Sequence, residues 1–126
     1  MAQELTQLAL LAVLALIHVS AHGLIQKAEA GNAWTVSPPD GQLTGRARRA
    51  LSNFLETAPV FLCATRVLHL ADRAVPMTRI AAAVNLAART AYLPAYLSGI
   101  PWLRTLIWNA ATAALAVLLL GIWWQP

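Results

Sequence analysis

The chain has 126 residues, of which 59% are apolar and only 11% charged, and its mean hydropathy is +0.59. Soluble domains carry about 25% charged residues, so the composition argues against a soluble domain and for one small integral membrane protein in a lipid bilayer. The formal charge is +4, but the basic residues are dispersed near expected helix ends, which points to phospholipid headgroups or an acidic ligand and away from nucleic acid.

The first apolar run, residues 5–24, predicts a span of roughly 30 Å, enough for a hydrocarbon core. Val19-Ser20-Ala21 resembles a signal-peptide cleavage site. The residues before the run include Glu4 and no Lys or Arg, so the segment reads as a retained span. His18 and His22 have the i, i+4 spacing that can ligate zinc. Without a third ligand nearby they read as polar helix-end residues, and no metal is expected. Residues 27–43 form a polar loop rich in turn formers, among them Gly31, Asn32, Pro38, Pro39, Asp40 and Gly41.

The second span is expected over 44–69, with Thr44 as its N-cap and a kink at Pro59. It carries the one cysteine, Cys63, which excludes an intrachain disulfide and reads as a small apolar helix residue. A short connection leads to Pro76, suited to the first turn of a third span over 76–97. Ser98-Gly99 breaks that helix, and Pro101 opens a fourth over 101–124. Trp102, Trp108, Trp123 and Trp124 read as interfacial anchors rather than a substrate cage. The architecture expected is an all-α, four-helix transmembrane bundle in one domain. Lys27, Arg46, Arg48, Arg49 and Arg104 flank the first and third loops, and Arg66, Arg73 and Arg79 the opposite side. The positive-inside rule then places the first and third loops in the cytoplasm.

Two polar stripes interrupt these spans. On the second helix, Arg49, Asn53 and Glu56 follow i, i+4, i+7 and fall within roughly 60° of arc. On the third, Asn85, Arg89, Tyr92 and Tyr96 do the same. Lipid cannot solvate such faces. Buried apart they would leave unpaired charge, costing several kcal/mol; facing each other they would form a polar cleft. Two arginines against one carboxylate leave a positive surplus for an anionic ligand. Alternatively, Arg49, Glu56 and Arg89 neutralise one another and fix helix register.

The segment GRARRALSNFLETAPVFL resembles the second-helix signature of the MAPEG family, membrane-associated proteins in eicosanoid and glutathione metabolism. Arg49, Ala50, Asn53, Glu56, Pro59 and Phe61 match its pattern. The segment AARTAYLPAYLSGIPWLRTLIW resembles the family's third helix and following loop through Ala88, Arg89, Tyr92, Ala95, Tyr96 and Arg104. The likeness covers nearly the whole chain and suggests a bacterial-type member similar to microsomal glutathione transferases, in a bacterial inner membrane.

The resemblance implies a homotrimer with glutathione, as co-substrate, bound between neighbouring subunits. It makes Arg49 and Arg89 ligands for the tripeptide's carboxylates, Glu56 the partner of its ammonium with Asn53 bridging, and Tyr92 and Tyr96 neutral donors. Arg104 matches the family's thiolate-stabilising arginine, the expected catalytic residue. The activity implied is glutathione transfer to, or peroxide reduction of, a lipophilic small molecule dissolved in the bilayer. A non-catalytic lipid- or glutathione-binding protein, or a subunit of a larger complex, is the alternative. A proton-coupled drug exporter fits less well, since the first span has no acidic residue beyond Glu4. Thr57 stands where the leukotriene synthase branch has tyrosine, which argues against that activity. At the end of the first helix, Lys27 is the nearest counterpart of the family's further basic ligand.

Overall fold

The computed structural model describes residues 2–30 and 41–124. They form four α-helices and no strand: α1 (Gln3–Ala30), α2 (Gln42–Leu70), α3 (Pro76–Ser98) and α4 (Pro101–Trp123). Residues 31–40, the turn-rich part of the expected polar loop, lie outside the described residues. α2 and α3 occupy the middle of the bundle, with α1 against both on one side and α4 against both on the other.

The packing follows a seven-residue repeat. Ala47, Phe54, Phe61 and Leu68 recur every seventh residue of α2, with Ala50 and Ala64 between them, and all are buried. Glu4, Gln7, Leu11, Leu14 and His18 form the equivalent seam of α1. Such spacing keeps one narrow face against a neighbour, and the alanines let backbones approach closely. The main core joins Leu11 and Leu14 to Phe61 and Leu68 of α2, Leu86 of α3, and Leu115 and Leu118 of α4. Leu16, Leu24, Ile80 and Leu106 point outward instead. Among the described residues, α1 and α4 are long and apolar enough to cross a membrane.

Local rules set three helix ends. Pro76 and Pro101 occupy first turns, where a missing N–H costs nothing. Gly99 takes the left-handed conformation (φ 75°) that ends α3. Arg46 Nη1 donates to Leu97 O at 3.2 Å, so its positive charge sits at the negative end of α3.

The α1–α2 junction differs from expectation. α1 continues six residues past the apolar run, so Lys27 lies on the helix, exposed in its last turn. α2 begins earlier, and Gly41 rather than Thr44 is its N-cap. The reason is Glu29, whose carboxylate accepts from Leu43 N at 3.3 Å, Thr44 N at 2.5 Å and the Thr44 hydroxyl. A side chain of the preceding helix thus satisfies the open N–H groups of α2. At the opposite end of the bundle, Glu4 accepts from Arg79 Nε at 2.7 Å and lies 3.6 Å from His69 Nδ1. The only acid near the start of α1 is therefore spent on pairing.

Candidate functional site

The bundle turns the two polar stripes toward each other at Asn53 and Arg89. Arg89 is buried, 2% exposed, and its Nη1 donates to Asn53 Oδ1 at 3.1 Å. Its guanidinium lies 5.7 Å from the centre of the Tyr92 ring. With its oxygen engaged, Asn53 keeps its amide NH₂ as a donor toward the cleft.

Tyr92 and Tyr96 meet edge to face, with ring centres 5.5 Å apart. Two guanidiniums also lie near the Tyr96 ring, Arg104 at 5.0 Å and Arg49 at 6.0 Å from its centre. These contacts have the geometry of cation–π attraction. They bring α2, α3 and the first turn of α4 together around an open cleft of about 200 Å³. Asn53, Tyr92, Tyr96, Arg104, Thr105 and Trp108 line it, and among the described residues no carboxylate does. Its lining is cationic or neutral donor, which suits an acidic ligand.

Two members of the stripes go elsewhere. Asn85 is buried and donates through Nδ2 to Ala111 O at 2.8 Å, tying α3 to α4. Glu56 is exposed on the outer side of α2, where it accepts from Ser52 Oγ at 3.2 Å. It lies about 160° around the helix from Phe54, which points into the core. Among the described residues no ion pair joins Glu56 to Arg49 or Arg89, so mutual neutralisation of these three is not what holds the helices in register. The Thr57 hydroxyl donates back to Asn53 O and Phe54 O, both at 3.2 Å, and serves its own helix.

Three side chains near the site have positions that their spacing alone did not suggest. Trp108 lines the cleft and is not simply an anchor, whereas Trp102, Trp123 and Trp124 are widely exposed. Thr105 lines it too. His18 is no helix-end residue: it is 1% exposed and stacks on Phe54, ring centres 4.5 Å apart and planes 20° from parallel. Its place in the α1 seam, at seven-residue spacing from Leu11, is the signal that it faces inward. His22, one turn on, is half-buried. Among the described residues no three His, Cys, Asp or Glu side chains are placed to hold a metal ion.

No curated protein and no solved structure matches the chain. The family model described as MAPEG family matches residues 5–124. Because that match takes in all four helices and every residue around the cleft, the chain belongs to the MAPEG family, and so to a family of membrane proteins.

Proposed function

We propose that this protein is a glutathione-dependent transferase or peroxidase that acts on lipophilic electrophiles, as a multi-pass homotrimer in a bacterial inner membrane, with its first and third loops in the cytoplasm. One observation carries the reading: a cleft bounded by Asn53, Tyr92, Tyr96 and Arg104, with Arg49 beside it and Arg89 behind it, has no acidic side chain in its lining among the described residues. Glutathione supplies the missing negative charge through two carboxylates and brings a thiol.

Arg49 is exposed and free to take a carboxylate. Arg89 is too deeply buried for easy bidentate contact; it fixes Asn53 and adds positive charge from below. Arg104 stands over Tyr96 at the cleft and stabilises the thiolate. The thiolate attacks the electrophilic carbon, a C–S bond forms, and the leaving group departs with its electron pair.

Volume and exposure support assembly with further copies of the chain. Small-molecule pockets usually enclose roughly 300–1,000 Å³, and this cleft holds about 200 Å³. Arg49 and Glu56 also sit on the exposed side of α2, where lipid is a costly neighbour for charge. A second copy packed on α2 closes the cleft, removes both charges from lipid, and lets Glu56 meet the ligand's ammonium.

Calorimetric titration of the purified protein with glutathione, followed by conjugation of a model electrophile, tests the reading. Heat of binding at millimolar glutathione or below, with product formation, is expected. No binding at that concentration refutes it. Binding without turnover leaves a glutathione-binding membrane protein in place of the enzyme.

A further inference from the structure

Behind the cleft, between α1 and the α2–α3 pair, two fully buried side chains each keep a nitrogen with no partner among the described residues, His18 Nε2 and Arg89 Nη2, and Nε2 of half-buried His22, one turn on from His18, is unpartnered too. His18 and Arg89 belong to one neighbourhood. The His18 ring stacks on Phe54, the residue after Asn53, and Asn53 receives the Arg89 hydrogen bond.

Their hydrogen-bonding needs are opposite. His18 Nδ1 lies 2.9 Å from Leu14 O. A carbonyl only accepts, so Nδ1 carries the proton, and in the neutral ring Nε2 is a bare acceptor. Arg89 Nη2 is a donor and nothing else. A donor and an acceptor are thus both left over, and neither pairs with the other. An anion would serve Arg89 but set negative charge against the imidazole lone pair. A small molecule that donates one hydrogen and accepts another serves both. Buried polar groups are rarely left unsatisfied, and enclosed water is the usual remedy.

We propose that an ordered water bridges His18 Nε2 and Arg89 Nη2, and that His18 is thereby a positioning residue for the guanidinium beneath the cleft. Arg89 is then held from three sides: by Asn53 through Nη1, by the water through Nη2, and by the Tyr92 face. Removing the bridge frees the guanidinium to turn, and Asn53 loses the bond that aims its amide at the ligand. The effect on ligand affinity rests on the glutathione reading above; the water itself does not.

The test combines a density map of the wild-type protein in lipid nanodiscs, at a resolution that shows ordered water, with glutathione titrations of wild type, His18→Leu and His18→Gln. A peak within hydrogen-bonding distance of both nitrogens is expected. Direct contact between them, or no peak, overturns the bridge. His18→Leu removes the acceptor and weakens glutathione binding roughly three- to thirtyfold. His18→Gln restores an acceptor oxygen and stays within about threefold of wild type, a rescue that loss of packing alone would not give. Equal affinity in all three proteins, or equal loss in both variants, overturns the positioning role. Should His18→Leu not fold, the map and the Gln variant decide. If the wild type binds no glutathione, the functional reading fails alone, and the map still decides the bridge.

Discussion

Replacing Arg104 by alanine separates binding from activation. The guanidinium is half-buried at the cleft and within 5.0 Å of the Tyr96 ring centre. A thiolate about 4 Å from it gains roughly 4 kcal/mol at an effective dielectric of about 20. Solvent at the open cleft screens about half of this, leaving about 2 kcal/mol. That corresponds to about 1.5 pKa units, bringing a thiol from about 8.5 to about 7. At pH 7 the bound thiolate fraction then rises from about 3% to about 50%.

The assay is the pH titration of thiolate ultraviolet absorbance for bound glutathione in wild type, Arg104→Ala and Arg104→Lys. In the wild type the conjugation rate should climb with pH and level off above about 7; in Arg104→Ala it should keep rising toward about 8.5. Lysine keeps the charge without the planar fork and should fall between them. Glutathione affinity should change far less than the thiolate signal, because Arg49, Asn53 and the two tyrosines remain. A wild-type thiolate titration in the alanine variant would refute the assignment. So would loss of binding and of thiolate together, since Arg104 would then be only a ligand-binding group.

Asn85→Ala should lower stability by about 1–2 kcal/mol through loss of its bond to Ala111 O, with glutathione affinity unchanged because Asn85 faces α4; thermal unfolding in detergent and calorimetry read the two effects. Gly121→Ala should destabilise by about 1–3 kcal/mol, since a methyl there would meet Thr78 Cγ2 at 2.5 Å, and Thr78 closes the first turn of α3 through its 3.0 Å bond from Val75 N. Glu29→Ala should speed hydrogen exchange at Leu43 and Thr44, whose N–H groups it accepts, and leave α4 amides unchanged; unaltered exchange at both positions would show that the carboxylate does not cap α2.

The helix starts at Pro76 and Pro101 and the stop at Gly99 were readable because each depends on one residue's own backbone limits. The α1–α2 junction was not. Its stabilising contact runs from Glu29 to Leu43 and Thr44, fourteen and fifteen residues away, and hydrophobic pattern carries no trace of such a bond. The apolar run ends near Leu24, but the helix continues to Ala30 because polar residues in its last turns face water at no cost and the final carboxylate gains donors.

For the site, spacing identified which side chains share a helix face but not which neighbour that face meets. Asn85 and Arg89 are one turn apart on α3, yet one bonds α4 and the other α2. The same holds for Asn53 and Glu56 on α2, which diverge into the cleft and onto the outer surface. Rotation of α2 is decided by the large rings in its seam: Phe54 and Phe61 are each 1% exposed, and turning them out would cost about 1.5–3 kcal/mol apiece in lost burial or packing. With Phe54 inward, Asn53 must flank the α3 contact and Glu56 must leave it. The stripe that looks uniform in sequence is therefore cut by packing into an inner half that builds the cleft and an outer half that awaits a partner. That cut could be foreseen only by weighing the seven-residue aromatic and alanine repeat of α2 against its polar one, because the apolar repeat, not the charges, sets the angle at which the helix sits.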